Sequence, residues 1–375
     1  MQANAGSGTF GNITFVDSAA VRINSSAAAN GDLYIDGGTD DQVGGNLTIT
    51  ATTGDITDNT NVTVTGNSTF TTLADAGAVT LNNTNAFGGW VKLTTTDSSG
   101  NDSHATIDNG TTALILNTGS VVKGNLTVTT GHVSGITDNG AVTVGGNLVA
   151  TTDDGNGVID LGTTTVTGTV SLNTNGSGNA TLDNGALNLD LAASNVGGSL
   201  TVTSGAAAGI TDSGTVTVGV DLIATTDDNN GVIDLGELAV TGDMDLTTDG
   251  SGNATIVNAA VDFKDSEIGG ALSATASSGD ITDTGRLTVA GASTFKVANS
   301  QNIILDSASN AFTGAVTMQA NAGSGTFGNI TFVDSGAVRI NSSAAANGDL
   351  YIDGGTDDQV GGDLTITATT GDITG

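Results

Sequence analysis

Pairs of adjacent aspartates recur along this sequence, each with glycine or asparagine within a few residues. The pairs are Asp40-Asp41, Asp153-Asp154, Asp227-Asp228 and Asp357-Asp358. Neighbouring carboxylates can serve as general acid and general base, the chemistry that cleaves glycosidic bonds. A catalytic site is normally assembled once in a chain, whereas these pairs recur with the sequence repeats. The sequence therefore predicts a protein that is not an enzyme.

Calcium binding is the second chemistry that these acids could support, because Ca²⁺ takes six to eight oxygen ligands from carboxylates, amides and backbone carbonyls. The sequence offers three candidate sites: Asp153, Asp154 and Asp160; their repeat copies Asp227, Asp228 and Asp234; and Asp97 with Asn101 and Asp102. None of them matches an EF-hand loop or the glycine-rich nonapeptide calcium repeat. Two interpretations stay open, calcium sites and solvated turns, and calcium is the only cofactor that the sequence suggests.

The composition excludes several other classes of protein. The 375 residues carry 39 acidic and 7 basic side chains, a formal net charge of -32, so neither nucleic acid nor an anionic membrane is an expected partner. No apolar run is long enough to cross a bilayer, so we expect no direct membrane insertion. Hydrophobic residues make up 37% of the chain and aromatic residues only 3%. A core of small and β-branched side chains favours strands.

The sequence is repetitive on several scales. Residues 1–57 return as residues 318–374 with two differences, Ala19 against Gly336 and Asn46 against Asp363. A block of 317 residues (1–317) therefore restarts at 318–375. Within the block, shorter related units begin near Leu47, Leu126, Leu200 and Leu272, and the next begins near Leu364. Copies this similar indicate tandem duplication.

The finest period is about 22 residues, the distance from Leu126 to Leu148 and from Leu200 to Leu222. Periods of this length are typical of solenoids. Within each period, short runs of alternating apolar residues and threonine are separated by Gly, Asn and Asp, which is the pattern of strands and turns. We predict an all-β right-handed parallel β-helix with coils of about 22 residues, continuous over residues 1–375.

Equivalent residues should form columns in such a helix. The isoleucines of one column, predicted to point inward, are Ile56, Ile136, Ile210, Ile281 and Ile373. Aspartate follows two residues later at Asp58, Asp138, Asp212 and Asp283. The alternative architecture is a string of Ig-like β-sandwiches, which the spacing of the larger units also permits.

Several phrases resemble the repeats of filamentous-haemagglutinin-like exoproteins and related giant bacterial adhesins. They are GGNLTIT at residues 44–50, GDIT at residues 54–57 and GGNL at residues 145–148. Members of that family are exported β-helical rods that mediate adhesion or aggregation. The resemblance implies the same fold and a secreted, cell-surface location for this chain.

We therefore expect a structural or adhesive extracellular repeat protein that forms a stiff rod, filament or sheath. Its expected partners are further copies of itself, by end-to-end continuation or lateral bundling, and cell-surface glycans. The alternative is a binding module, an adhesin whose acidic turns recognise a glycan or a cation-bridged partner. The 92-residue interval from Leu272 to Leu364 is the place where an inserted binding loop would break the repeat.

Overall fold

The computed structural model describes residues 11–24, 32–34, 41–98, 102–320, 327–341, 349–352 and 362–375. All secondary structure in these residues is β-strand. No helix that could span a membrane occurs in them. The described chain forms two compact units, Met1–Gly185 with Asn195–Gly198, and Ala186–Ser194 with Ser199–Gly375. Each unit is a parallel β-solenoid, as the sequence predicts. Continuity of the solenoid over the whole chain stays a prediction.

The strands of the first half of the chain are β1 (Ile13–Asp17), β2 (Val21–Asn24), β3 (Asp32–Tyr34), β4 (Asp41–Val43), β5 (Leu47–Ala51), β6 (Ile56–Asp58), β7 (Val62–Val64), β8 (Ser68–Asp75), β9 (Val79–Leu81), β10 (Ala86–Phe87), β11 (Trp90–Thr96), β12 (Ala105–Asp108), β13 (Leu114–Leu116), β14 (Ser120–Val122), β15 (Leu126–Thr130), β16 (Ile136–Asp138), β17 (Val142–Val144), β18 (Leu148–Thr152), β19 (Ile159–Leu161), β20 (Thr164–Val166), β21 (Thr169–Asn173), β22 (Ala180–Asp183) and β23 (Leu189–Leu191).

The strands of the second half are β24 (Ser194–Val196), β25 (Leu200–Ser204), β26 (Ile210–Asp212), β27 (Val216–Val218), β28 (Leu222–Thr226), β29 (Ile233–Leu235), β30 (Leu238–Val240), β31 (Met244–Thr247), β32 (Ala254–Asn258), β33 (Val261–Phe263), β34 (Ser266–Ile268), β35 (Leu272–Ala276), β36 (Ile281–Asp283), β37 (Leu287–Val289), β38 (Ser293–Val297), β39 (Ile303–Leu305), β40 (Ala311–Phe312), β41 (Val316–Gln319), β42 (Ile330–Asp334), β43 (Val338–Asn341), β44 (Asp349–Ile352), β45 (Leu364–Ala368) and β46 (Ile373–Thr374).

One coil consists of a long strand in one sheet and two short strands in the other. In the coil that begins at Leu126, the long strand is β15 and the short strands are β16 and β17. The long strand pairs in parallel with β18 of the next coil, so that Leu126 lies opposite Leu148. The short strands pair in the same way, with Ile136 opposite Ile159. This register confirms the 22-residue coil, and parallel pairing rules out the Ig-like alternative because Ig sheets are antiparallel.

Alternation along each strand separates core from surface. In β15, Leu126, Val128 and Thr130 are buried, whereas Thr127 and Thr129 are half-buried on the outer side. Successive side chains of a strand point to opposite faces, so one register fills the core and lines the surface with threonine. The inward isoleucine column is confirmed at its first four positions, Ile56, Ile136, Ile210 and Ile281, all 0% exposed. The fifth, Ile373, is 48% exposed and lies on β46, which pairs with β43.

Within each unit, the long strand of the coil changes from one sheet to the other, and we call this change a switch. In the first unit, β1, β5, β8 and β11 stack in one sheet, and β12, β15, β18 and β21 stack in the other. At the switch, the long strand β11 pairs with two short strands, β13 and β14. The next long strand, β22, is back in the starting sheet, opposite β19.

The second unit switches in the same manner. Here β31 is the long strand that pairs with two short strands, β33 and β34. The following long strands, β32, β35, β38 and β41, lie in the other sheet. The long strand then returns to the first sheet at β42, which pairs with β39. The roughly 75-residue sequence unit is therefore the stretch between two switches, and two switches restore the starting sheet.

Candidate functional site

The predicted calcium turn at residues 153–157 is built around a buried threonine. The hydroxyl of Thr152 donates to the carbonyl of Gly157 at 2.8 Å and accepts the backbone N–H of Asn175 at 3.3 Å. Asp153 and Asp154 are exposed at the tip. The Thr152 bridge closes the turn, and within the turn the Asp154 carboxylate accepts the backbone N–H of Gly155 at 2.7 Å.

The copy of this turn in the second unit has the same construction. The hydroxyl of Thr226 donates to the carbonyl of Gly231 at 2.8 Å. Asp227 and Asp228 are exposed, and Asp228 accepts the backbone N–H of Asn229 at 2.8 Å. The repeat therefore reproduces the turn as well as the strands.

The structure distributes the predicted calcium ligands between turns and strands. Asp153 and Asp154 line an open groove of about 330 Å³ together with Asp108. Asp160 and Asp234 lie on strands β19 and β29, each opposite threonine on the outer side of its sheet. Among the described residues, no three Asp, Glu or His side chains are grouped to hold a metal ion.

The third candidate site is a local loop. One carboxylate oxygen of Asp97 accepts the backbone N–H of Asp102 at 2.8 Å. Its other predicted member, Asn101, lies outside the described residues, as do Asp40, Asp357 and Asp358. Calcium binding at all three sites stays a prediction.

The aspartate column has a structural role that sequence analysis did not assign. Each carboxylate of the column binds groups of the turn in the next coil. Asp212, for example, accepts the N–H groups of Gly236 and Glu237 at 3.1 and 2.7 Å. Turn N–H groups have no strand partner, and a carboxylate satisfies them with strong charge-assisted hydrogen bonds. The corresponding bonds of the other members are Asp58 to Asn82 and Asn83, Asp138 to Thr163, and Asp283 to Asp306 and Ser307.

A second column connects the corners that carry the Gly-Gly-Asn phrase. The side-chain oxygen of Asn125 accepts the N–H of Asn147, whose own side-chain oxygen accepts the N–H of Thr169, both at 2.9 Å. Successive coils approach each other very closely at this corner, since a Cβ on Gly146 would lie 2.3 Å from the side-chain oxygen of Asn125. His104 occupies the preceding position and its Nδ1 accepts the N–H of Asn125. The glycine is therefore required by the corner ladder.

Buried amides mark the switches. Asn109, Asn184 and Asn258 follow or end the first long strand after a switch, and at most 2% of each residue is exposed. Each amide accepts the N–H and donates to the C=O of one residue at the end of the last short strand before the switch. The two bonds are 2.7 and 3.3 Å for Asn109 with Phe87, 2.6 and 3.0 Å for Asn184 with Val166, and 3.0 and 2.9 Å for Asn258 with Val240.

These junction amides replace a strand. At a switch the short strand has no equivalent strand above it, so its last N–H and C=O would stay unpaired in the core. An asparagine side chain has one acceptor and one donor arranged as in a peptide group, so it satisfies both. The residues predicted from the sequence do not include these amides, although their signal is visible as ATIDN, ATLDN and ATIVN at residues 105–109, 180–184 and 254–258.

Several carboxyl groups of the second unit have a raised pKa. Burial is the largest cause for Asp245, Asp262, Asp283 and Asp334. The charge of Asp265 adds to the rise in the pKa of Asp245, which Lys264 opposes. Lys264 also forms half-exposed ion pairs with Asp221 and Asp243, at 3.6 and 3.7 Å.

Parts of this chain are similar to a known family of sequence repeats. Three segments of the chain, residues 38–94, 177–226 and 251–319, are similar to a family described as repeats of unknown function (DUF5649). The second and third segments begin a few residues before β22 and β32 and so include the junction amides Asn184 and Asn258. No curated protein and no solved structure matches the chain. The similarity supports a tandem-repeat β-solenoid.

Proposed function

We propose that this chain is part of a structural or adhesive repeat protein that forms a stiff rod, filament or sheath outside the cell. The observation that carries the proposal is the repetition of the same inter-coil hydrogen bonds in coil after coil. Parallel ladders, carboxylate-capped turns and corner asparagines each connect one coil to the next. A chain connected in this way gains length with each repeat and keeps its cross-section.

Stiffness follows from the satisfaction of buried polar groups. Bending a solenoid opens the ladders on one side and exposes backbone groups that have no other partner in the core. The junction amides maintain these bonds where the ladder itself changes sheets, so a switch is not a hinge. We infer that the repeat acts as a spacer or scaffold, with further copies of the chain as its partners through end-to-end or lateral association.

The outer surface supports an adhesive role by weak contacts that recur. Threonines of the long strands, such as Thr127 and Thr129, are half-buried and present hydroxyl groups outward. Many weak contacts on one rod produce high avidity without a single deep pocket. The resemblance to exported adhesins and the strongly acidic surface support the extracellular location.

A binding module is the second candidate, favoured by the groove that Asp108, Asp153 and Asp154 line. Three carboxylates and two glycines line this open surface, and carboxylates are hydrogen-bond acceptors for the hydroxyl groups of a glycan. In this alternative, the repeat would display the groove at a fixed spacing.

Small-angle X-ray scattering tests the rod directly. The 375-residue chain is compared with a chain that contains one additional 317-residue block. At about 22 residues per coil and ~4.8 Å per coil, the added block should extend the maximum dimension by about 70 Å. The cross-sectional radius should stay the same. A wider cross-section, or an extension less than half of this, would refute the rod.

A glycan array separates adhesion from a purely structural role. Fluorescent beads coated with the chain are applied with calcium and with EDTA. If the wild type binds defined glycans and the double variant Asp153→Asn, Asp154→Asn does not, the groove is a recognition site. Binding that persists in this double variant would assign adhesion to the rest of the surface, and no binding would leave the structural role alone.

A further inference from the structure

One switch carries a carboxyl group where the others carry an amide. Asp334 ends β42, the first long strand after its switch, and corresponds in position to Asn109, Asn184 and Asn258. It accepts the N–H of Phe312 at 3.3 Å, just as the amides accept the N–H of Phe87, Val166 and Val240. An ionised carboxylate has no hydrogen to donate, so it cannot reproduce the second bond of the amide, to the carbonyl.

The surroundings of Asp334 are apolar. The residue is 6% exposed and borders a cavity of about 10 Å³, which leaves at most room for one water molecule. The other cavity residues come from five strands and the turn after β40: Phe312, Gly314, Val316, Phe332, Val338 and Leu350. None of them titrates or carries charge. The second hydrogen bond of the carboxyl comes from the N–H of Gly336 at 3.2 Å.

We propose that Asp334 is a proton-controlled junction. When its carboxyl is protonated, it forms both hydrogen bonds of an asparagine amide with the end of β40. When the carboxyl is ionised, it leaves the Phe312 carbonyl unpaired and weakens the connection at the switch. The protonated carboxyl has both a donor and an acceptor. The proton is exchanged with solvent, and no covalent bond changes. This inference concerns the fold and holds whether or not the protein is an adhesin.

The direction of the pH effect follows from burial. Desolvation raises the pKa of Asp334 above its ordinary value of 3.8, opposed in part by the backbone N–H groups of Gly336, Phe312 and Ser335. The folded state therefore binds the proton more strongly than the unfolded state. The stabilisation is complete below the unfolded pKa and is lost as the pH rises through the folded pKa. A junction of this kind is most stable at mildly acidic pH.

Thermal melts of the full chain between pH 4 and pH 8 test the junction. Asp334→Asn should have the same melting temperature as the wild type at pH 4 and a higher one at pH 8, because asparagine keeps both hydrogen bonds at every pH. A tenfold difference in proton affinity corresponds to a shift of about 3–5 °C in melting temperature for a unit of this size. The matched control is Asp17→Asn, in the same ITFVD motif but half-buried. It should leave the pH dependence unchanged.

The reverse substitution provides an independent readout. Asn258→Asp places a carboxyl at another junction and should add a second loss of stability with rising pH, detected as faster, pH-corrected amide hydrogen exchange at residues 238–240. If the Asp334→Asn difference is constant from pH 4 to pH 8, the proposal is wrong. It is equally wrong if Asn258→Asp destabilises to the same extent at both ends of that range.

Discussion

At the scale of single residues, many acids and amides of this chain stabilise the fold itself. The aspartate column binds turn N–H groups, and the corner asparagines bind the chain of the next coil. The repeated aspartates of the chain therefore include two sets with different surroundings. Asp58, Asp138, Asp212 and Asp283 stabilise turns, whereas Asp153, Asp154, Asp227 and Asp228 lie at exposed tips that a ligand can reach.

Removal of a junction amide should be costly. In Asn184→Ala, the N–H and C=O of Val166 both lose their partner in the core. A buried unsatisfied group costs about 1–3 kcal/mol, so we expect the free energy of unfolding to fall by roughly 2–4 kcal/mol, measured by urea denaturation. The control is Asn195→Ala at an exposed strand position, which should change it by less than about 0.5 kcal/mol. Equal effects of the two variants would refute the role of the amide.

Calcium should raise the melting temperature if the acidic tips bind it. Ligands that bind only the folded state stabilise it in proportion to the logarithm of their concentration. Melts by circular dichroism in excess EDTA and in millimolar CaCl₂ should differ for the wild type. They should coincide for a variant with asparagine at Asp153, Asp154, Asp227 and Asp228. Identical wild-type melts in the two buffers would leave these acids as solvated turns.

At the scale of elements, the coil is the unit that can be exchanged. Residues 148–169 form one coil whose long strand lies between β15 and β21, with Leu126, Leu148 and Val170 in one column. Without this coil, Val170 would follow Asn147 and could pair directly with Leu126 in the same register. Inward and outward side chains would keep their places.

A whole-coil deletion should therefore fold. The chain without residues 148–169 should give a cooperative melt and a strand-type circular dichroism spectrum. The matched control is deletion of residues 148–158, half a coil, which brings a short strand against the long strand β15 and puts core positions out of register. We expect this control to aggregate or to melt without cooperativity. Similar behaviour of the two deletions would contradict the assignment of the coil.

At the scale of the whole molecule, charge works against the fold. The net charge of -32 repels itself along the chain. The ion pairs of Lys264 are half exposed and offset little of this repulsion. Screening should therefore stabilise the protein.

Salt should raise the melting temperature. Between 0.01 M and 1 M NaCl the Debye length falls from ~30 Å to ~3 Å, which removes most of the repulsion between neighbouring coils. We expect an increase of several degrees in a thermal melt at pH 7. The same series at pH 4, where many carboxylates are protonated, is the control and should show a smaller increase. A melting temperature that decreases with salt would mean that ion pairs dominate.

The sequence by itself determined the fold class, the length of the coil and the direction of its side chains. The 22-residue period and the alternation of Leu, Val and Ile with Thr are local, and only one strand register buries the whole apolar set. For the same reason the inward position of Ile136 and the corner role of Gly146 could be predicted from the repeat pattern alone. The recurrence of the acidic pairs was equally visible, but their exposure was not.

Only the tertiary structure decided how the 75-residue unit arises. The switch of the long strand from one sheet to the other depends on which coil lies above which, and that pairing joins residues far apart in sequence. Asn184 meets Val166 because a short strand ends there without a partner. Asp334 differs from Asp17, its copy in an identical pentapeptide, because the coil beside it excludes solvent. Burial depends on the neighbouring coils, so the same motif contains a half-buried acid at Asp17 and a buried one at Asp334.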